Sequence, residues 1–315
     1  MKEAIIKKSG KIRRRGGKLA YQGELWGMAA LPVLWFIIFS YLPMFGITIA
    51  FKNYNYRKGI FGSEWVGLKN FEFFLKSNDM LIVVRNTILM NALFIASLTI
   101  CALLVAIFMY NIRSRKLVKA LQTSYITPNF VSYVMVAYVV YAVLNPQYGI
   151  ANQLLNKLGI GGVDWYSQPK YWPIILTIVH VWKAVGMRSV MYYAALMGVD
   201  ETLFEAAEID GANKVQITYH ILIPEILSII VIMAIMDIGG IFRGDFGLFY
   251  LVTQDSPLLY SVTDVVNTYV YRTLMESNNV SLSTAIGFMQ SVVGCIMVLV
   301  TNFASKKIDG DLGLI

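Results

Sequence analysis

Long apolar runs, separated by shorter polar connections, make up most of the chain. Six of these runs reach about 20 residues, the length that a helix needs to cross the hydrocarbon core of a bilayer. In chain order they cover residues 26–50, 86–111, 118–143, 172–197, 222–242 and 281–304. The pattern therefore predicts an all-α, polytopic membrane protein with six transmembrane helices.

The connection between the fourth and fifth runs, about residues 199–224, has a helical pattern of its own. Thr202 and Glu205 have the spacing of a capping box, which would start a short helix at the next residue. Gly211 stands where a left-handed residue ends a helix, and Asn213 can cap a second one. An apolar surface on the first helix indicates a protein partner. Its residues are Leu203, Phe204, Ala206, Ala207 and Ile209.

Composition supports a membrane location. The chain is 57% hydrophobic and only 15% charged, with a mean hydropathy of +0.59, outside the usual balance of a soluble domain. The two cysteines, Cys101 and Cys295, lie inside apolar runs. Packing is a more ordinary role there than a disulfide or a redox site.

Basic residues indicate how the chain is oriented. The first 19 residues carry eight lysines and arginines, which favours a cytoplasmic amino terminus. Residues 113–119 form a second basic cluster, whereas the outward connection 144–171 carries only two lysines. The orientation of residues 51–83 is less clear, because this longer loop carries five basic side chains together with three acidic ones. We expect both termini in the cytoplasm, and the basic tail to determine topology or contact lipid headgroups rather than nucleic acid.

The expected division of the chain is a basic cytoplasmic tail, a transmembrane domain and a short cytoplasmic tail, at residues 1–25, 26–305 and 306–315.

The polar connection also resembles a known motif. Glu-Ala-Ala, three residues, Gly, nine residues and Ile-x-x-Pro is the spacing of the EAA loop in permease subunits of binding-protein-dependent ABC importers. The expected ATPase-coupling residues here are Glu205, Ala206, Ala207, Asp210, Gly211, Ile221 and Pro224. Residues 67–71 and 193–204 are similar to the carbohydrate branch, and the resemblance runs from about residue 26 to 307. It implies a type I ABC importer permease fold, with the loop forming a coupling helix seated in a cleft of the ATPase.

The resemblance further implies partners and a location. The chain would be one half of a heterodimeric pore in the bacterial inner membrane. It would work with a second homologous permease, two cytoplasmic ATPase subunits and an extracytoplasmic solute-binding protein. ATP and Mg would be held by the ATPases, so that this chain would bind no cofactor. Closure of the ATPases would move the coupling helix and turn the pore from inward-facing to outward-facing.

Ionisable groups in the fourth and fifth spans are candidates for a translocation path, because charge inside a bilayer is costly. The resemblance places these spans beside the central path. The candidate path residues are Trp182, Lys183, Arg188, Tyr192, Asp237 and Arg243. An ion pair between Lys183 and Asp237, or snorkelling toward headgroups, remains an equal alternative. His180 is interpreted as a packed, hydrogen-bonded interior residue.

Side-chain chemistry favours a carbohydrate substrate. Four aromatic rings suit the apolar faces of sugars: Tyr192, Tyr193, Phe249 and Tyr250. The basic path residues suit carboxylates or sulfates. Residues 243–250 and 264–272 resemble the alginate and pectin-oligosaccharide importers, so an oligosaccharide, and within that class an acidic one, is expected. Aromatic residues of the outward loops would either lie at the membrane interface or contact the solute-binding protein. They are Trp165, Tyr166 and Tyr250.

Other functional classes explain less of the sequence. A membrane enzyme would need a catalytic or metal-binding motif, and neither His-Glu-x-x-His, Gly-x-Ser-x-Gly nor a phosphate-binding loop occurs. A proton-coupled carrier would more often show repeated halves or broken helices around an acidic site. A structural subunit leaves the caps and the apolar surface of the loop unexplained. A permease for a different solute remains open.

Overall fold

The structure is a computed structural model. It describes the backbone of residues 16–308 and the side chains of residues 25–307 apart from Glu208. The basic residues that precede Gly16 and the tail that follows Ile308 lie outside the described residues, as do the side chains of residues 16–24 in the predicted amino-terminal tail.

Most of the described chain is α-helical. The α-helices are α1 (Gly16–Phe36), α2 (Gly59–Gly62), α3 (Lys69–Leu75), α4 (Asn78–Tyr110), α5 (Arg115–Ile126), α6 (Tyr133–Leu144), α7 (Ile150–Lys157), α8 (Trp172–Leu196), α9 (Glu201–Ile209), α10 (Lys214–Ile217), α11 (Ile223–Glu225), α12 (Leu227–Gly239), α13 (Tyr260–Thr263), α14 (Val266–Met275) and α15 (Val280–Ile308).

Other helical turns extend several of these elements. Turns of π-helix cover Ile37–Tyr41, Thr218–Leu222 and Gly247–Val252. Turns of 3₁₀-helix cover Leu42–Phe51, Thr127–Phe130, Trp165–Ser167, Pro169–Tyr171 and Pro257–Leu259. Two short strands, β1 (Lys52–Asn53) and β2 (Glu64–Trp65), pair antiparallel after the first span, with Lys52 opposite Trp65.

Six membrane spans are present if two bent pairs of helices are each counted as one span. Four helices of the described chain are long and apolar enough to cross a bilayer: Leu25–Phe51, Asn78–Tyr110, Pro169–Leu196 and Val280–Lys307. The third span consists of Arg115–Phe130 and Tyr133–Leu144, bent by 96°. The fifth consists of Lys214–Glu225 and Leu227–Gly239, bent by 60°. The prediction of an all-α polytopic fold is confirmed, and the predicted six spans are reached when the bent third and fifth spans are each counted once.

Both breaks have a local cause. Pro128 lacks an amide hydrogen, and the Ser132 hydroxyl accepts a hydrogen bond from the Met135 amide at 3.4 Å, which starts α6 afresh. Pro224 likewise precedes the bend at Ile226, whose backbone (φ −98°, ψ 7°) is no longer helical. Apolar length alone did not reveal these breaks, because proline is tolerated within membrane helices.

The core lies between α4 and α8. One buried cluster near the start of α8 joins Phe94, Trp172, Leu176 and Phe249. A second joins the ends of α4 and α8 to the start of the fifth span, and contains Ala102, Ala106, Tyr192, Leu196, Leu222 and Ile226. A third packs α15 on the outer loops, through Phe74, Val83, Val266, Leu282 and Ile286. Together they connect the loop at 199–224 with the opposite end of the molecule.

Gly186 allows α5 to cross α8 at backbone contact. A Cβ atom at this position would lie 1.9 Å from the carbonyl oxygen of Tyr125. Small residues at such crossings let membrane helices pack closely.

Candidate functional site

The first helix of the loop, α9, is capped by Asp200. Its carboxylate accepts a hydrogen bond from the Thr202 amide at 3.0 Å, and this bond lowers the pKa of Asp200. The predicted capping box of Thr202 and Glu205 is therefore wrong, and the helix begins at Glu201. An acceptor two residues upstream already satisfies the amide at the helix start.

The turn after α9 matches the sequence prediction. Gly211 has φ +77°, and the Ala212 amide reaches back to the Ala207 carbonyl oxygen at 2.9 Å, the bond of a Schellman motif. Asn213 then caps α10 by accepting from the Gln216 amide at 2.9 Å, while Gln216 accepts from the Asn213 amide at 2.8 Å. The loop is thus helix, sharp turn, helix, held by its own hydrogen bonds.

One side of this loop packs on the body of the protein, and the other side is exposed. Phe204 faces α4, where its ring lies 6.0 Å from that of Tyr110. The predicted apolar surface therefore includes one residue that turns inward. Ile209 is 86% exposed, and Leu203, Val215 and Tyr219 are exposed as well. Such large apolar side chains at a turn indicate a surface that another protein covers.

The predicted coupling residues border two clefts beside α9. Glu205 lines a cleft of about 350 Å³ together with Tyr110, Glu201 and Lys214. A second cleft of about 320 Å³ is lined by Ala207, Asp210, Gly211 and Ile221, among others. Ala206 is exposed on α9, and Pro224 lies apart from both clefts, in α11 beside the bend of the fifth span.

Lys183 does not pair with Asp237. The Lys183 ammonium group is buried at the break in the third span, and donates hydrogen bonds to the carbonyl oxygens of Asn129 at 2.9 Å and Val131 at 2.6 Å. It also lies 4.8 Å from the centre of the Tyr133 ring. The lysine therefore occupies the broken end of a helix, where free carbonyl groups favour a cation.

Arg188 is the partner of Asp237. The two side chains form a salt bridge of 2.7 Å between α8 and α12. Residues five apart on a helix point about 140° away from each other, so Lys183 faces the third span while Arg188 faces the fifth. One nitrogen of Arg188, one oxygen of Asp237 and the Tyr192 hydroxyl are buried without a hydrogen-bond partner in the described part of the chain.

Three other residues of α8 that the sequence singled out differ in burial. Trp182 is exposed on α8, and Tyr192 is fully buried in the second apolar cluster. His180 is packed as predicted, but by stacking on Phe94 with ring centres 4.5 Å apart. The described residues offer the His180 ring no hydrogen-bond partner, so this part of the interpretation is wrong.

An open cavity, lined by both polar and apolar residues, lies where α4, α8 and the chain after α12 meet. It has a volume of about 440 Å³, and its lining includes Asn91, His180, Arg243, Asp245 and Asn267. Arg243 also lines a cavity of about 460 Å³ between α12 and α15. Of the six predicted path residues, the other five line neither cavity.

Hydrogen bonds fix the segment that carries Arg243. Tyr133 donates to the Asp245 carboxylate, and Asn267 donates to the backbone carbonyl oxygen of Arg243. Gln290 of α15 in turn donates to Asn267 at 3.1 Å. These bonds hold residues 243–245 against α6 on one side and against α14 and α15 on the other.

Sequence analysis missed most of the polar residues in the walls of these two cavities. Asn91 and Gln290 could have been found, because a polar amide inside an apolar run is unusual. Asp245 and Asn267 lie in polar connections, where such residues are common.

Aromatic rings continue from the cavity toward the outer loops. Phe246, which lines the cavity, is 4.9 Å from Tyr250 and 4.9 Å from Tyr271, and the latter two are 5.0 Å apart between ring centres. Phe246 and Arg243 line the same cavity, so this trio begins beside Arg243.

Neither cysteine forms a disulfide within the described chain. Cys101 is half-buried, whereas Cys295 is exposed and lines the cavity between α12 and α15, so the predicted packing role does not fit Cys295. Among the described residues, no group of three or more His, Cys, Asp or Glu side chains is placed to hold a metal ion.

Comparison with known proteins identifies the family. Residues 100–310, more than half of the chain, match the family described as binding-protein-dependent transport system inner membrane component. The chain is 32% identical to the polygalacturonan/rhamnogalacturonan transport system permease protein YteP of Bacillus subtilis, over 99% of this chain and 96% of that protein. It is 33% identical to protein LplB of the same organism, over 89% and 87%.

A solved structure has the same fold. The chain superimposes with a TM-score of 0.84 and 29% identity on a bacterial ABC transporter involved in the import of the acidic polysaccharide alginate, covering 94% of this chain and all of that one. A second structure, the alginate transporter bound to a periplasmic protein carrying alginate pentasaccharide, gives a TM-score of 0.83. The chain has the type I ABC importer permease fold and belongs to the family of binding-protein-dependent transport system inner membrane components.

Proposed function

We propose that this chain is one of two permease subunits of an ATP-driven importer that carries an oligosaccharide across the inner membrane. Its loop at residues 199–224 rests on a cytoplasmic ATPase, and the cavity around Arg243 forms part of the path for the substrate. The chain binds no nucleotide and performs no covalent chemistry, because ATP and Mg are held by the ATPase subunits.

The coupling loop is the observation that carries this proposal. It combines a capped helix, a left-handed glycine and a second capped helix with an exposed apolar surface centred on Ile209. Phe204 connects the same helix to the end of α4. A force applied by a partner at Ile209 would therefore reach the core through a rigid element rather than through a flexible connection.

The cavity supports a polar substrate. His180 offers a ring nitrogen without a hydrogen-bond partner among the described residues, and Arg243 offers a guanidinium group that can bind a carboxylate with two parallel hydrogen bonds. The aromatic trio next to it suits the apolar face of a sugar ring. Together with relatives whose names include polygalacturonan and alginate, these features favour an acidic oligosaccharide.

The proposed assembly contains a second permease, two ATPase subunits and a solute-binding protein. The structure of the alginate transporter with its periplasmic binding protein supports the last of these partners. Both termini lie on the cytoplasmic side in this proposal, because the amino-terminal segment and residues 113–119 are basic.

Reconstitution tests the proposal. The full importer in proteoliposomes, supplied with its solute-binding protein, should hydrolyse ATP faster when an acidic oligosaccharide is present, and should accumulate that sugar. Arg243→Met should reduce uptake of the acidic sugar by about tenfold or more, since a charged hydrogen bond contributes about 1.5–3 kcal/mol. Arg243→Lys, which keeps the charge, is the matched control. Unchanged uptake in Arg243→Met would remove Arg243 from the path, and absence of any sugar-stimulated ATPase activity would refute the proposed function.

A further inference from the structure

The short helix α7 lies between the ends of two membrane spans. The third span ends at Leu144, and the fourth begins at Pro169 and runs through α8 to the coupling loop. Helix α7 (Ile150–Lys157) is in the connection between them, so it lies at the membrane face opposite the coupling loop.

Three sectors run along this helix. Ala151, Asn152 and Leu155 face the body of the protein and are buried or half-buried. Large apolar side chains form a second, exposed sector about 80° wide: Ile150 at 59%, Leu154 at 56% and, just past the helix, Leu158 at 73% exposure. The third sector, also exposed, is polar and contains Gln153, Asn156 and Lys157.

Asn152 fixes the rotation of the helix. Its side-chain amide donates to the carbonyl oxygens of Pro146 at 2.9 Å and Val163 at 2.8 Å. Its carbonyl oxygen accepts from the Val163 amide at 3.0 Å and from the Trp165 indole at 2.9 Å. The apolar sector therefore cannot turn inward without breaking four hydrogen bonds of a buried side chain.

We propose that α7 is an interfacial membrane helix, whose apolar sector is immersed in the outer-leaflet boundary between headgroups and acyl chains. A helix that lies in the plane of a bilayer surface has this arrangement, with a polar and an apolar sector side by side along its axis. Tyr148 and Ile160, just beyond the two ends of the helix, are exposed apolar side chains as well.

The surroundings of α7 favour lipid over a protein partner. The exposed face of α6, which includes Tyr138 and Val139, belongs to a membrane span and leads directly to α7. Lys170 lies 4.7 Å from the centre of the Tyr171 ring at the start of the fourth span, and lysine beside tyrosine is typical of the headgroup region. Lys157 at the end of α7 can likewise reach the phosphates of anionic lipids.

Spin-label accessibility tests this inference. The full chain, with Cys101 and Cys295 replaced by alanine and assembled with its partner subunits, is placed in nanodiscs of phosphatidylethanolamine and phosphatidylglycerol. A nitroxide is attached at Leu154→Cys or Leu158→Cys in the apolar sector, with Asn156→Cys in the polar sector as the matched control. All three positions are exposed, so the labels do not disturb packing.

Collision with oxygen should exceed collision with a water-soluble nickel chelate at 154 and 158, and the order should reverse at 156. The inference is overturned if the nickel chelate reaches 154 as freely as 156, because the apolar sector would then face water. It is also overturned if the solute-binding protein protects 154 from both reagents, because a protein would then cover this sector. Neither result depends on which sugar is transported.

Discussion

At the scale of single residues, the charges inside the membrane hold helices together. Lys183 binds the broken end of the third span, and Arg188 binds Asp237 across to the fifth. Sequence analysis found these residues, because charge in an apolar run is conspicuous, but the one ion pair it offered as an alternative, Lys183 with Asp237, does not form. Their partners lie 49 to 55 positions away in the chain, and only the tertiary fold brings them together.

Lys183→Met should destabilise the subunit rather than reduce substrate binding. The part-buried carbonyl groups of Asn129 and Val131 would lose their donor, at a cost of up to about 1–3 kcal/mol each. We expect a lower thermal midpoint of the purified complex, with Trp182→Leu, an exposed neighbour on the same helix, as the control. If Lys183→Met has normal stability but no uptake, Lys183 contacts the substrate and its structural role is refuted.

A double-mutant cycle tests the pair of Arg188 and Asp237. Each single change, Arg188→Met or Asp237→Leu, leaves one buried charge uncompensated and should cost about 3–5 kcal/mol of unfolding free energy. The double variant should recover most of that loss, and the cycle yields the coupling energy. Additive losses in the double variant would show that the two side chains act independently.

At the scale of elements, the turn and second cap of the proposed coupling loop, residues 199–224, were predictable, whereas the membrane helices were only partly so. Gly211 and Asn213 act through hydrogen bonds within a few residues, which is why local sequence revealed the turn and the second cap. The breaks near Pro128 and Pro224 were not predicted, because a long apolar run can form a bent pair of helices as easily as one straight helix. The cavity wall was not predicted either, because the hydrogen bonds that place Asp245 and Asn267 there come from Tyr133 and Gln290, which are distant in the chain.

Gly211→Val should disturb the coupling turn. A β-branched residue at φ +77° is strained by about 1–3 kcal/mol, so that α9 and α10 would lose their relative orientation. We expect a complex whose ATPase activity responds less to the loaded solute-binding protein, while α8 and α12 remain folded. Gly198→Ala is the matched control, because Gly198 lies near the same loop without a positive φ. Full stimulation in Gly211→Val would show that the turn is not needed for coupling.

At the scale of the whole molecule, the chain looks like part of a larger assembly. The apolar windows of its four continuous spans are only 6% to 28% buried within the chain, so most of their surface is available to lipid and to other subunits. Two contacts connect its opposite faces through α4: Phe204 packs on Tyr110 at one end, and Asn86 donates to the Asp264 carbonyl oxygen at 3.1 Å at the other. Under the proposed function, these contacts would carry movement between the ATPase and the solute-binding protein.

Photo-crosslinking from Ile209 tests most directly whether residues 199–224 dock on an ATPase. A benzophenone side chain at position 209, which is 86% exposed in the isolated chain, should form an adduct with an ATP-hydrolysing subunit in the assembled importer. The same probe at Gln153, in the polar sector of α7, serves as the control and should form no such adduct. An ATPase adduct from 209 alone is the result that we predict. No adduct from 209, or an equal one from 153, would contradict the assignment of this loop as the coupling element.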